Sequence, residues 1–262
     1  MPPQIDHHLM SSSHAPTDVE VRILASTPTE GLPLILLLHG AMSSARSVDL
    51  HAPIVRELWT SGALPPCVVA CASTPTEGGF YLDWPDGPSW AAVVAEDLPR
   101  FVSEQYDVDL SRTALMGASM GGFGALTMVL GQPARFVAGA ALAPAVFPGT
   151  TRDDVPAQNR EGVLGELFEV LEVAPHQRVD ARLSENLEAV HRHAPAIFLG
   201  VGEQDEFRLR DGAEHLHAQL LAAEVSHQYL VIAGGGHMDA GMEELQRAAL
   251  QFLGRALVGR SG

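Results

Sequence analysis

A serine set between glycines is the feature of this sequence whose residue types and spacing could support chemistry. Residues 117–121 read Gly-Ala-Ser-Met-Gly and join a strand-like run at 112–116 to a helix-like run at 121–130. A turn this tight holds the serine in a strained backbone conformation, and the flanking glycines avoid collision with the strand and the helix. The Ser119 hydroxyl would then stand exposed at the carboxyl edge of a sheet. We predict a nucleophile here; the alternative is a serine that only caps the helix.

A histidine and an acid follow later strands that would end at the same edge. A serine hydroxyl needs a base to take its proton, and the base needs a carboxylate to orient it. Asp205 follows one predicted strand, and His237 follows the last strand through three glycines. We therefore predict Ser119, Asp205 and His237 as nucleophile, acid and base. The alternatives are an Asx turn at Asp205 and a helix-capping histidine at 237. Three other carboxylates stay open as the acid: Glu203, Glu206 and Asp211.

Two backbone amides should face the oxyanion that forms when the serine attacks a carbonyl. One belongs to the residue after the nucleophile, Met120, and the other to Ala41 in the loop after an earlier buried strand. Ala41 directly follows His39-Gly40, and its small side chain lets a substrate approach the backbone closely. Met42 remains an alternative donor if the loop register differs. A plain strand-to-helix turn is the alternative without a function.

An aromatic loop that precedes the serine could supply walls of a substrate pocket. The stretch 73–90 is rich in glycine, proline and aromatic residues. Apolar and aromatic side chains line most small-molecule sites. Each candidate could instead be ordinary core. The candidate substrate-binding residues are Phe80, Tyr81, Trp84, Met120 and Phe207.

The elements that must position these residues alternate along the chain as in an α/β protein. Apolar runs predict strands at 19–24, 33–38, 67–72, 112–116, 137–142, 196–201 and 227–232, and helical spacing predicts helices at 47–59, 90–106, 121–130, 211–223 and 242–257. This order predicts a doubly wound, mostly parallel sheet flanked by helices, in one domain at 19–262. Residues 1–18 are predicted to be a flexible tail, and 145–193 a helical insertion or partial lid.

Composition limits the classes of partner. Hydrophobic residues make up 46% of the chain, which is enough to fill a large core. Thirty-two acidic and sixteen basic residues give a net charge of −16, which disfavours nucleic acid and anionic lipid. No run approaches the ~20 apolar residues of a membrane span, and the N-terminus does not resemble a secretory signal. We expect a cytoplasmic protein with a small-molecule partner, without nucleic acid or membrane; a homodimer stays open.

Metal ions and cofactors are not expected. Two His-x-His pairs, at 191–193 and 215–217, lie in segments where side chains two positions apart diverge, and neither pair has a further ligand at suitable spacing. Cys67 and Cys71 fall on one predicted strand, so their Cα atoms should be about 13 Å apart, beyond disulfide reach. We predict that both cysteines are small buried side chains.

The region around the serine resembles a known family. ALMGASMGGFGAL at 114–126, followed by Pro144 after the next strand, is similar to the nucleophile region of the esterase D family of α/β-hydrolases, which includes S-formylglutathione hydrolases. GGFYLDW and EDLPRFVSEQYDVD extend the similarity over about 78–144. The resemblance implies an α/β-hydrolase fold and ester or thioester hydrolysis by a Ser-Asp-His triad, which falls on Ser119, Asp205 and His237.

One departure from this family narrows the expected substrate. The S-formylglutathione hydrolases carry a cysteine in the loop after the oxyanion strand, whereas this chain has Ala-Met-Ser-Ser at 41–44. Formylglutathione is therefore not favoured. We expect a serine esterase that cleaves small to medium acyl or aryl esters through an acyl-enzyme. The alternatives are acyl transfer or perhydrolysis by the same triad, and a non-catalytic binding scaffold.

Overall fold

Eight strands form one sheet in the computed structural model, which describes residues 4–27, 30–76, 79–84 and 86–258. The strands are β1 (Ile5–Met10), β2 (Val19–Ala25), β3 (Leu32–Leu38), β4 (Val68–Ala72), β5 (Val108–Ala118), β6 (Ala138–Leu142), β7 (Ala196–Gly202) and β8 (His227–Ile232). Their order across the sheet is β1-β2-β4-β3-β5-β6-β7-β8. β2 pairs with β4 and β3 with β5, so the chain crosses over between strands that are not consecutive in sequence.

The sheet is parallel over most of its width. β1 pairs antiparallel with β2, and β2 with β4, whereas all pairings from β4 to β8 are parallel. Every residue of β3, β4 and β6 is buried, as expected of parallel strands covered on both faces. The carboxyl ends of β3 and β5 to β8 therefore open onto one edge, where loops can carry a site. The predicted fold class is confirmed.

Helices flank this sheet. They are α1 (Ser47–Ser61), α2 (Trp90–Ala92), α3 (Leu98–Gln105), α4 (Met120–Gly131), α5 (Val163–Val173), α6 (Val179–Glu185), α7 (Leu187–His193), α8 (Leu209–Ala222) and α9 (Ala240–Val258), with a π-helical turn, Val93–Asp97, joining α2 to α3. α4 packs on β5 and β6, and α9 packs on β6 and β7. Within the described ranges, no helix combines the length and the apolar character needed to cross a membrane.

The prediction of a flexible tail at 1–18 was wrong for most of that segment. Ile5–Met10 forms β1, whose backbone completes the hydrogen bonding of β2. The following loop is held by the buried carboxylate of Asp97, which accepts hydrogen bonds from Ser12 Oγ at 2.5 Å and His14 Nδ1 at 2.9 Å. These partners lie more than 80 positions apart, so no local pattern could reveal them.

The segment 145–193 contains α5, α6 and α7 and three 3₁₀ turns, Arg152–Asp154, Ala157–Asn159 and Pro175–Gln177. Two buried amide side chains connect it to other loops. Asn159 Nδ2 donates to the carbonyl of Phe207 at 2.8 Å. Gln177 accepts from the backbone N–H of Asp83 at 2.8 Å and donates to its carbonyl at 2.9 Å. These hydrogen bonds attach the segment to the loops at Asp83 and Phe207; its movement as a lid stays a prediction.

Candidate active site

Ser119 occupies the turn between β5 and α4 with φ 56° and ψ −116°, a conformation that non-glycine residues rarely adopt. The neighbouring glycines leave space for this turn. A Cβ atom added to Gly117 would lie 2.2 Å from the carbonyl oxygen of Gly121, and one added to Gly121 would lie 2.1 Å from that of Leu38. Both contacts are far below van der Waals distance. Glycine at these two positions is therefore a steric requirement of the turn.

Hydrogen bonds from the neighbouring strand hold this strained residue in place. The N–H of Ser119 donates to the carbonyl of Leu142, at the end of β6, at 2.9 Å. The carbonyl of Ser119 accepts from the N–H groups of Phe123 and Ala145, both at 3.0 Å. A strained conformation of this kind costs about 1–3 kcal/mol and persists only where the surroundings fix it. Here the end of β6 and the first turn of α4 provide that support.

An aspartate and a histidine meet at the same sheet edge. His237 Nδ1 and Asp205 Oδ2 are 2.7 Å apart, and the two side chains are only 8% and 0% exposed. The other carboxylate oxygen, Oδ1, accepts the N–H groups of Phe207 at 3.0 Å and Leu209 at 3.2 Å. A carboxylate only accepts hydrogen bonds, so the imidazole proton must be on Nδ1. The Nε2 atom is then left as the basic nitrogen.

The three competing carboxylates have other partners. Glu203 accepts the N–H of Gly234 at 2.9 Å, and Glu206 accepts the main-chain N–H of His237 at 2.6 Å. Asp211 forms an ion pair with an arginine three positions earlier. Among the described residues, none of the three carboxylates contacts the imidazole by a hydrogen bond. Glu203 and Glu206 instead fix the backbone of the loop that carries the histidine.

The serine and the histidine follow β5 and β8, whose carboxyl ends lie at one edge of the sheet. No hydrogen bond joins the Ser119 hydroxyl to the His237 imidazole among the hydrogen bonds of the described residues. Catalytic hydrogen bonds are often long in an unliganded enzyme and shorten when substrate binds. The structure therefore joins the predicted acid to the predicted base, and it places the predicted nucleophile at the same edge.

The loop after β3 lies against the nucleophile turn. A Cβ atom added to Gly40 would lie 3.8 Å from the Cβ of Ser119. The N–H of Met42 donates to Thr76 Oγ1 at 2.7 Å, so this amide is already occupied. No sequence pattern indicated Thr76, because its hydroxyl reaches this loop from 34 positions away. The alternative that Met42 supplies an oxyanion donor is disfavoured.

The role of Ala41 and Met120 as oxyanion donors stays a prediction. Ala41 lies between Gly40, which abuts the nucleophile turn, and the occupied amide of Met42. Met120 is the first residue of α4, and the first N–H groups of a helix have no acceptor within that helix. The positive end of the α4 dipole also favours negative charge at this place.

His39 holds the loop after β3 in place by hydrogen bonds. Its Nδ1 donates to the carbonyl of Gly40 at 2.8 Å, and its Nε2 accepts the N–H of Thr74 at 2.9 Å. The Tyr81 hydroxyl donates to the His39 carbonyl at 3.0 Å. Burial lowers the pKa of His39 below its ordinary value. A proton on Nε2 would face the N–H of Thr74, so the neutral imidazole is the form that fits.

This arrangement predicts that mild acid weakens the fold. Because the pKa of His39 is lowered in the folded protein, the unfolded chain binds the proton more readily, and stability falls as the pH drops through about 6.5. We expect urea unfolding to give a smaller free energy of unfolding at pH 5.5 than at pH 7.5. The loss should be smaller in His39→Gln, whereas the contribution of buried His51, whose pKa is also lowered, is common to both proteins. Parallel losses in the two proteins would contradict the prediction.

The structure corrects the predicted pocket walls. Phe80 and Tyr81 are each 1% exposed, and Met120 is equally buried, so their side chains belong to the core. The backbone φ angles of Phe80 and Tyr81 are positive, 51° and 57°, so the loop turns sharply at these two residues. Trp84 is half-buried. Phe207 is the candidate that lies beside the pair of Asp205 and His237, with its ring centroid 4.9 Å from that of His237.

The two His-x-His pairs do not form metal sites in the part of the chain that the structure describes. No group of three or more His, Cys, Asp or Glu side chains could hold a metal ion there. His217 Nδ1 lies 2.7 Å from His227 Nε2, and His191 Nε2 lies 2.8 Å from the carbonyl of Ala223. These histidines thus contribute to local packing.

Among curated proteins, the chain is similar to the S-formylglutathione hydrolase of Bos taurus. The two are 35% identical over 78 residues, which is 28% of this chain and 28% of the relative. The S-formylglutathione hydrolase of Mus musculus is 35% identical over 79 residues. The match thus covers well under two thirds of either relative's length.

Solved structures resemble the fold over nearly the whole chain. A ferulic acid esterase superposes with a TM-score of 0.79 and 18% identity, covering 98% of this chain and 99% of that one. A fluorophosphonate-binding serine hydrolase of Staphylococcus aureus gives a TM-score of 0.77 and 16% identity, covering 97% and 99% of the two chains. At such identities the likeness establishes the α/β-hydrolase fold.

The family assignment rests on a match along the sequence. The family described as "Putative esterase" matches residues 12–244, which include the turn at Ser119, the loop after β3 and the pair of Asp205 and His237. The resemblance to esterase D-type proteins seen around Ser119 therefore extends over most of the chain. The chain belongs to this esterase family.

Proposed function

We propose that the protein is a serine carboxylic-ester hydrolase that cleaves small to medium acyl or aryl esters through an acyl-enzyme. The observation that carries this proposal is the buried pair of Asp205 and His237 at the sheet edge where Ser119 follows β5. Membership of the esterase family supports the reaction class. Similarity to a ferulic acid esterase and to S-formylglutathione hydrolases also supports a hydrolase.

Acylation begins when Ser119 Oγ attacks the ester carbonyl carbon. His237 Nε2 takes the hydroxyl proton, and Asp205 stabilises the imidazolium through the 2.7 Å contact at Nδ1. The carbonyl oxygen becomes an oxyanion that accepts hydrogen bonds from the amides of Ala41 and Met120. The carbon–oxygen bond to the alcohol then breaks, and the alcohol oxygen leaves with the proton from Nε2. The acyl group remains on Ser119.

Deacylation repeats this sequence with water. His237 Nε2 removes a proton from a water molecule, which attacks the acyl carbon while the same two amides hold the oxyanion. The bond to Ser119 Oγ breaks, and the serine recovers its proton from the imidazolium. The products are a carboxylic acid and an alcohol, and the enzyme returns to its starting state without any cofactor.

The finer assignments of location and partner are also proposals. We infer a cytoplasmic protein whose only required partner is a small-molecule ester. Cys67 and Cys71 are buried free thiols, and burial raises the pKa of Cys67 to about 12. These thiols fit a reducing compartment and need no disulfide. Formylglutathione is not the proposed substrate, because residues 41–44 lack the cysteine that the resemblance implies at this loop.

The test is hydrolysis of a series of p-nitrophenyl esters from acetate to decanoate by the purified protein. We expect saturable turnover with an optimum among the short to medium acyl chains, and equal amounts of acid and p-nitrophenol. Adding methanol should divert part of the acyl-enzyme to a methyl ester without changing kcat/KM, because acylation precedes the choice of acceptor. Absence of turnover on every ester would overturn the proposed function.

A further inference from the structure

An aromatic ring stands at the surface beside the proposed base. Phe207 is 42% exposed, and its ring meets the His237 imidazole edge-on, with 4.9 Å between centroids and 79° between planes. The next residue after the histidine, Met238, is 81% exposed. Single exposed apolar side chains are common at protein surfaces, so their exposure alone does not indicate a ligand. The Phe207 ring, in contact with the imidazole of the proposed base, is in a position to meet an apolar part of a bound ligand.

Phe207 lies in a loop whose backbone is held by hydrogen bonds. Its N–H donates to Asp205 Oδ1 at 3.0 Å, and its carbonyl accepts from Asn159 Nδ2 at 2.8 Å. Asn159 is itself buried. The backbone on both sides of the ring is therefore fixed, by the proposed catalytic acid and by the helical segment 145–193. A ligand that packs against such a preformed surface binds with little loss of the protein's conformational entropy.

The reaction determines which half of an ester meets this surface. When the bond between the acyl carbon and the alcohol oxygen breaks, its electron pair stays on that oxygen, which takes the proton from His237 Nε2. The alcohol oxygen must then lie within hydrogen-bond reach of the imidazole. The carbon atoms attached to that oxygen therefore extend beside His237, where the Phe207 ring is placed.

We propose that Phe207 binds the alcohol half of the substrate, and that the enzyme favours esters of aromatic or bulky apolar alcohols. This inference rests on the proposed serine hydrolase function. Negative charge lies close to this site. The carboxylate of Glu206 accepts the His237 N–H, and the chain carries a net charge of −16. An uncharged alcohol is favoured here over an anionic one.

Two isomeric esters separate the alcohol half from the acyl half. Benzyl acetate carries its ring in the alcohol, whereas methyl phenylacetate carries the same ring in the acid. We expect Phe207→Ala to lower kcat/KM for benzyl acetate by about tenfold and to leave that for methyl phenylacetate within about twofold. Leu221→Ala removes an exposed apolar side chain from α8 and serves as the matched control, with both substrates unchanged.

The two substrates also distinguish alcohol binding by Phe207 from a role in which the ring only orients His237. A Phe207→Ala variant that loses activity equally on both esters would show the orienting role, and the inference would be overturned. An unchanged kcat/KM for benzyl acetate, or a larger loss on methyl phenylacetate, would overturn it as well. Failure of the proposed function looks different, because the unsubstituted protein would then hydrolyse neither ester nor any p-nitrophenyl ester.

Discussion

Replacing Ser119 by alanine is expected to lower kcat for the best p-nitrophenyl ester by at least about 10⁴-fold. The variant loses the atom that forms the acyl-enzyme, and only transition-state stabilisation by the oxyanion amides would remain. The fold should be retained with at most a modest change in stability, because alanine keeps the Cβ and the main-chain hydrogen bonds to Leu142 and Ala145. The measurement is steady-state hydrolysis at pH 7.5 with both proteins at matched concentration.

Ser103→Ala is the matched control for this experiment, since it removes an exposed serine hydroxyl from helix α3. Its kinetics should equal those of the unsubstituted protein. If Ser119→Ala and the unsubstituted protein were equally active, the nucleophile would have to be another residue. The role assigned to the strained turn between β5 and α4 would then be wrong.

Substituting Asp205 by asparagine is expected to lower kcat by about 10⁴-fold. The amide keeps the shape of the carboxylate, but its oxygen can remain on the N–H groups of Phe207 and Leu209, which turns the NH₂ group towards His237. The imidazole would then carry its proton on Nε2 and could no longer take one from Ser119. The loss of the negative charge also destabilises the imidazolium.

The matched control is Asp211→Asn, which makes the same chemical change at a neighbouring carboxylate that pairs with an arginine. We expect its kcat to stay within a few-fold of the unsubstituted value. Thermal unfolding of both variants shows whether any loss is structural. Equal small losses in the two variants would contradict the assignment of Asp205 as the acid, as would full activity of Asp205→Asn.

Local sequence patterns were sufficient to predict most strands of the sheet and the turn at Ser119. The continuous apolar run of β3 and the strand–turn–helix context of 117–121 are properties of neighbouring residues, which makes them readable from sequence. The glycines of that turn proved to be steric necessities, as expected. β1 was missed because only one of its residues is buried, so its alternation is weak, and its stability comes from pairing with β2.

The site was harder to predict from sequence where its contacts join residues that are far apart along the chain. Glu203, Asp205 and Glu206 lie within four positions of one another, and only the fold decides which carboxylate faces the imidazole. In the aromatic loop, two residues predicted to line a pocket belong to the core. Phe80 and Tyr81 had the composition of a pocket wall, but the turn in the backbone directs both rings into the core.

The interactions that support the site were also hidden from the sequence. The Thr76 hydroxyl occupies the Met42 amide, and Asn159 fixes the loop of Phe207 from 48 positions away. Polar side chains such as these have no distinctive spacing. His39 did carry a readable signal, because a histidine directly after a fully buried strand must find hydrogen-bond partners when the strand end is also buried.

Covalent labelling by a fluorophosphonate tests the central claim most directly, because the reagent reports the nucleophile independently of any ester's fit. The folded protein is treated with a stoichiometric amount of reagent, and intact mass and peptide mass spectra are recorded. The proposed mechanism predicts one adduct, located on Ser119, which is absent in Ser119→Ala and forms much more slowly in Asp205→Asn. An unlabelled folded protein, or an adduct on another residue that persists in Ser119→Ala, would contradict the assignment of Ser119 as the nucleophile.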